Sequence, residues 1–332
     1  MDSRHLTLAV ALFSALGSAC GQEASAPALE PTSVVLKWHH QTQFAGVYVA
    51  QFKEFYRKHA LAVRIDEGSF KVSPIQGVAS GENDFGITSQ TQFLIERAKG
   101  QPIVAVAAIY QKSPVGFFAL DGSGITRPRD FRGKTVAYAP THEIHFKALL
   151  KRAGLDLRQI RTAPYGYDLT PWYTGRVQVW AGYVMNQPVD ARLAGHEVKI
   201  IFPDDYGIHT YDDILFVSEQ LLQQRPSLIE RFLRATLQGW RYAIEHPDEA
   251  TELTLRIEPK LVREKQLAML RASTPLIHTG QDPIGWMRRE IWQGAQGLLL
   301  EQRLLPAPVD LGKAYTLQFL QAIYRETAAG SS

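Results

Sequence analysis

Trp38-His39-His40-Gln41-Thr42-Gln43-Phe44-Ala45-Gly46-Val47-Tyr48 crowds imidazoles, amides and aromatic rings into one short stretch. A β-type run, Val34-Val35-Leu36-Lys37, precedes it, and the pattern that follows predicts a helix from Val47 to His59. The stretch is therefore a strand-to-helix turn, the place where open α/β sheets receive ligands. It carries no nucleophile and no metal-ligand spacing. Its chemistry suits the holding of something flat and polar. The candidate contacts within it are Trp38, His40, Gln43 and Tyr48.

Outward from this turn the chain alternates strand and helix. Ser33 to Trp38, Leu61 to Asp66 and Val115 to Leu120 read as strands, and Thr88 to Ala98 as a helix. Pro102 to Ile109 is continuously apolar, as in a strand covered on both faces. Asp121-Gly122-Ser123-Gly124 then breaks the pattern. The same grammar resumes with a strand at Lys134 to Ala139 and a helix at Glu143 to Lys151, with Thr141 as its N-cap and Gly154 closing it. Short strands follow at Ile160 to Ala163, Val177 to Ala181, Val198 to Phe202 and Ile214 to Val217. A long helix opens at Pro226, with Ser227 and Glu230 spaced as a capping box and Trp240 on its apolar face. The remainder is mainly helical.

This order predicts an α/β chain of two lobes with a hinge and an interlobe cleft. Lobe I is expected over 33–118 and 216–332, including the C-terminal helices, and lobe II over 119–215. A hinged protein without catalytic machinery is most simply a ligand trap.

The N-terminus resembles an export signal. Arg4 and His5 precede an apolar run, Leu6 to Leu16, of signal-core length and too short to span a bilayer. Residues 1–19 are expected to be a signal peptide. Cys20, the sole cysteine of 332 residues, is the expected lipidation site, and 20–32 a flexible tether rich in Ala, Pro, Ser and Glu. Cleavage near an alanine without lipidation is the competing reading. The expected location is the periplasm or the outer face of a bacterial membrane. A net charge of +3 without a basic block argues against nucleic acid.

Catalytic and metal motifs are scarce. His142 and His145 share a helical face, but zinc needs further ligands and no His-Glu-x-x-His run is present. No metal and no cofactor is expected. His142, at a helix start, is the better ligand contact. There is no Gly-x-Ser-x-Gly elbow, no Walker loop and no dinucleotide fingerprint. Asp204-Asp205 and Asp212-Asp213 read as loop charge by default, with Asp213 kept as a candidate contact. Aromatic groups in Gly- and Asp-rich turns are the stronger signal: Trp38, Tyr165, Trp172, Trp180, Tyr183 and Tyr211 could close on a flat heterocycle.

Several stretches resemble the periplasmic binding proteins of the thiamine-pyrimidine type, a family that includes the fungal thiamine-pyrimidine synthases. They are Leu36 to Tyr48, Asp84-Phe85-Gly86-Ile87, Ala107 to Pro114, Asp130-Phe131-Arg132-Gly133-Lys134-Thr135-Val136, Gly182-Tyr183-Val184-Met185-Asn186-Gln187-Pro188 and Asp205-Tyr206-Gly207-Ile208. The resemblance implies a type 2 solute-binding fold and an importer partner, an ABC permease with its ATPase. It also implies that Trp38, Ser89, Gln90, Tyr183 and Asn186 line the cleft. Pyrimidine-binding relatives often carry Asn-Glu-Pro where this chain has Asn186-Gln187-Pro188. The expected ligand is thus a small aromatic heterocycle, either a thiamine pyrimidine precursor or a flavin. A sensing module serving a separate membrane partner is the first alternative. A synthase-like enzyme is the second, although the synthases' cysteine motif is missing.

Overall fold

The structure is a computed structural model that describes residues 28–69 and 71–329. The expected signal peptide, Cys20 and most of the expected tether lie outside the described residues. Two five-stranded sheets carry the fold. The strands are β1 (Glu30–Val35), β2 (Leu61–Asp66), β3 (Phe85–Thr88), β4 (Ile103–Tyr110), β5 (Val115–Leu120), β6 (Thr135–Ala137), β7 (Arg161–Ala163), β8 (Val179–Tyr183), β9 (Val198–Ile201) and β10 (Asp212–Ser218). The first sheet runs β2-β1-β3-β10-β4 and the second β7-β6-β8-β5-β9.

Both sheets follow one plan. β1 pairs in parallel with β2 and β3, and β10 enters antiparallel between β3 and β4. Likewise β6 pairs in parallel with β7 and β8, and β5 enters antiparallel between β8 and β9. Each sheet therefore accepts one reversed strand, delivered by the chain as it crosses from the other.

Burial explains the composition of the strands. β4, Ile-Val-Ala-Val-Ala-Ala-Ile-Tyr, is buried at every position. It ends its sheet, yet its outer edge is covered: Thr316 N–H donates to Ala105 O at 3.0 Å, and Ala108 N–H to Gly285 O at 2.9 Å. That cover removes an open template for strand addition. β2, at the opposite edge, alternates buried and exposed positions over its first four residues, as a half-buried strand should.

The crossings lie closer to the sheets than the sequence suggests. β5 belongs wholly to the second sheet and β10 to the first, so the chain crosses through 111–114 and returns through 202–211. The glycine-rich break at 121–124 is a turn beyond β5 rather than the crossing. The two crossing segments touch, Ser113 N–H donating to Thr210 O at 2.8 Å. β1 also begins at Glu30, inside the expected tether.

Local differences have local causes. The helix expected over Val47 to His59 is two pieces, Ala45–Phe52 and Phe55–Lys58, because Glu54 takes the left-handed conformation at φ 58°. Thr141 does not cap the helix Glu143–Ala153; a 3₁₀ turn, Pro140–His142, leads into it, and Gly154 closes it at φ 69°. Ser227 is likewise inside its helix, Pro226–Glu245, where Pro226 occupies the first turn.

That long helix packs against Ala45–Phe52, backbone to backbone. A Cβ on Gly239 would stand 2.1 Å from Gly46 O, and one on Gly46 would stand 2.3 Å from Trp240 Cγ. Trp240 is core, as its place on the apolar face implies. The opening turn is thereby anchored to the C-terminal helices.

Candidate functional site

β1 delivers Lys37 to the junction between the sheets. Its ammonium pairs with Asp212 and, at 2.6 Å, with Asp213 Oδ1, at the start of β10. It also donates to the Tyr183 hydroxyl at 3.0 Å, and Tyr183 ends β8 in the other sheet. Tyr183 donates in turn to Asp212 Oδ2 at 3.1 Å. Gln43 Nε2 reaches both oxygens of Asp213, at 3.0 and 3.1 Å. The two carboxylates are 2% and 1% exposed and Lys37 is 13% exposed, so little water reaches this ionic network.

Burial sets the charges. It opposes ionisation of Lys37, but Asp212 and Asp213 outweigh it and hold the ammonium well above its usual range. Burial pushes Asp213 up to about 6, against the pull of Lys37. Asp213 itself sits at φ 44°, in the left-handed region that non-glycine residues seldom occupy. Strain of this kind persists only where surrounding contacts over-determine it. The ion pair and the Gln43 amide supply those contacts.

The opening turn is fastened at several points. Gly68 lies against it, its N–H donating to Trp38 O at 3.1 Å; a Cβ there would stand 2.0 Å from Leu36 O. Thr42 N–H and hydroxyl both bond to Gln266, at 2.8 Å to Oε1 and 2.8 Å to the carbonyl. His39 Nδ1 lies 3.2 Å from Glu67, which also accepts from His40 N–H. Trp38 is half-buried, its ring edge-on to His39 at 5.1 Å. Tyr48 is turned away: it is wholly buried, and its hydroxyl lies 3.0 Å from His40 Nδ1. It props up His40 rather than joining the cluster around Lys37.

The second sheet supplies a chain of rings. His142 is edge-on to Tyr165 at 5.6 Å and 6.0 Å from Tyr183. Burial drives His142 down to about 3 and neighbouring His145 down to about 4, so both are neutral at pH 7. Gln187 is committed locally: its Oε1 accepts from Tyr183 N–H at 3.0 Å, and its Nε2 donates to Tyr165 at 3.3 Å. Gly182 makes room for it, since a Cβ there would stand 2.0 Å from Gln187 Oε1. Trp172 and Trp180 are core, not cleft.

Ser89 caps the helix Gln90–Ala98, accepting from Gln92 N–H at 3.3 Å. Gln90 accepts from Tyr211 N–H at 2.9 Å, just before Asp212, but its Nε2 is buried with no partner. Asn186 Oδ1, beyond β8 in the other sheet, is likewise buried and unpartnered. Buried polar groups are rarely left unmade, because each costs about 1–3 kcal/mol. One amide from each lobe thus retains unused hydrogen-bonding capacity.

Lys37 and Asp212 are central here, yet the sequence reading passes over both. An Asp-Asp pair in a loop ordinarily means solvated charge. The available signal is a lysine at the end of an apolar strand, directly before the polar turn. Among the described residues no group of three or more His, Cys, Asp or Glu is placed to hold a metal ion, and no helix is long and apolar enough to cross a membrane.

A family model described as NMT1/THI5 like matches residues 41–250. The chain belongs to this family. Among its relatives, the riboflavin-binding protein RibY of Chloroflexus aurantiacus is 30% identical over 89% of this chain and 87% of its own length. A formylaminopyrimidine-binding protein of Halalkalibacterium halodurans is 26% identical, over 87% and 90%. A 4-amino-5-hydroxymethyl-2-methylpyrimidine phosphate synthase of Legionella pneumophila is 25% identical, over 87% and 92%. In fold, the chain matches a putative periplasmic sulfonate-binding protein from Methylobacillus flagellatus with a TM-score of 0.70 at 17% identity, covering 90% and 95%. This NMT1/THI5-like chain has the two-lobed fold of the type 2 periplasmic binding proteins.

Proposed function

We propose that this protein captures a small, flat aromatic heterocycle of the flavin or pyrimidine class and presents it to its transporter. The observation that carries the reading is the pair of unused amide groups, Gln90 Nε2 and Asn186 Oδ1, contributed by different lobes. A heterocycle with donors and acceptors on its edge would satisfy both, while its faces meet aromatic side chains. The RibY and formylaminopyrimidine-binding relatives support the same ligand class. The contacts proposed are Trp38, His40, Gln43, Ser89, Gln90, His142, Tyr183, Asn186 and Asp213. Gln187 is proposed as a support that fixes Tyr183. A lipid anchor at Cys20 is proposed as the tether to the membrane.

Native mass spectrometry of the gently isolated protein, followed by calorimetry with riboflavin and with formylaminopyrimidine, tests this. A stoichiometric heterocycle with micromolar or tighter affinity is expected. No binding across flavins and pyrimidines would reject the reading.

A further inference from the structure

Lys37, Asp212 and Asp213 form a site with a charge imbalance. One ammonium faces two carboxylates, and among the described residues Lys37 is the sole cation ion-paired with either. The other groups around them are uncharged at neutral pH: Gln43 on the opening turn, Tyr110 at the end of β4, Tyr183 at the end of β8, and His142 and His145 on the second lobe. The two carboxylates are buried and Lys37 is only 13% exposed, so water screens the surplus weakly.

We propose that the Lys37–Asp212–Asp213 cluster selects against anions, so that the ligand is an uncharged or cationic heterocycle and its sulfate or phosphate esters are rejected. This rests on the heterocycle reading above and narrows it. The helix starts at Gln90 and Glu143 put partial positive charge near the cluster, which would otherwise welcome an anion. Ser89 already caps the first of these, and the two full charges on Asp212 and Asp213 oppose the second. An anionic group meets the net negative charge at short range, where the effective dielectric is low. Tyr183 holds the arrangement across the lobes, bonding to both the ammonium and Asp212.

The test compares riboflavin with riboflavin 5′-sulfate, whose charge is fixed across the pH range used, by calorimetry at pH 8 and pH 5. Roughly tenfold or weaker binding of the sulfate is expected at pH 8. At pH 5 the gap should narrow, because Asp213 takes up a proton and cancels the surplus. Asp212→Asn should close the gap at pH 8 in the same way, and Asp213→Asn serves if that variant fails to fold. Equal or tighter binding of the sulfate by the wild type at pH 8 overturns the inference. So does a gap that both variants and acid leave unchanged. If neither flavin binds, the flavin assignment falls separately. Benzamidinium and benzenesulfonate then decide the charge question by thermal shift. Greater stabilisation by benzamidinium supports the inference, and equal or greater stabilisation by benzenesulfonate overturns it.

Discussion

Tyr183 donates its hydroxyl to Asp212 Oδ2 across 3.1 Å, and the two residues belong to different sheets. The same hydroxyl accepts from Lys37 at 3.0 Å. One phenol oxygen therefore ties the second lobe to the ion pair of the first. Tyr183→Phe keeps the ring and removes both bonds. A hydrogen bond to a charged group contributes about 1.5–3 kcal/mol, so the variant should bind ligand roughly tenfold to a hundredfold more weakly. Calorimetry reads this directly, and unchanged affinity would show that the bridge is incidental.

Trp38 tests the aromatic half of the proposed site. The ring is half-buried and held at the mouth of the opening turn by the Gly68 contact to its carbonyl. Truncating it to alanine should cost about 2–3 kcal/mol of binding energy through lost apolar contact and ring packing. Trp38→Phe should recover part of that loss. If both variants bind like the wild type while remaining folded by circular dichroism, Trp38 does not touch the ligand.

Two buried histidines and one buried carboxylate give stability opposing dependences on pH. His142 and His145 titrate lower when folded, at about 3 and 4, so their contribution is present above their ordinary value and is lost as pH falls below it. Asp213 titrates higher when folded, at about 6, so its contribution is present in acid and is lost as pH rises through 6. Two groups oppose one. The melting temperature should therefore fall on acidification from about pH 7 to pH 4, and His145→Asn should flatten the slope. A melting temperature that rises over that interval would contradict the assignment of both histidines as buried and neutral.

The fold is largely legible in the sequence because its signals are local. Continuous apolar runs mark β4, and the apolar strand followed by a polar turn marks the end of β1. The crossings are not legible, because a strand that changes sheets looks like any other strand. Val115 to Leu120 announces a strand, but nothing in its residues says that it pairs with β8 and β9. The candidate site, as proposed, is legible in part. Trp38, Gln90, Tyr183 and Asn186 stand out, whereas Lys37 and Asp212 do not. Their roles arise from long-range pairing between residues 37 and 212, which local spacing cannot reveal. Tyr48 shows the converse ambiguity: an aromatic beside a polar turn can be buried in the core, as its place in the helix Ala45–Phe52 makes it.

The contact between Gly46 and Gly239 supplies a prediction about how the scaffold holds the turn. In an open helix, replacing glycine by alanine stabilises by up to about 1 kcal/mol through backbone entropy. A Cβ on Gly294, in the helix Arg289–Glu301, would meet nothing within 4 Å, so Gly294→Ala should follow that rule. Gly239 is different. Its added methyl would press on Gly46 O at 2.1 Å and on Ala50 Cβ at 2.9 Å, both in a helix whose first residue follows the opening turn. Backbone cannot rotate aside as a flexible side chain can, so the helices must separate. Gly239→Ala should therefore destabilise by about 2–4 kcal/mol despite its better propensity. Urea unfolding should show a lower midpoint with an unchanged slope. Because Thr42 and Gln43 precede the displaced helix directly, ligand affinity should fall as well. A variant as stable as the wild type would mean that the two helices tolerate separation, and that the turn is positioned by Gln266 and Gly68 alone.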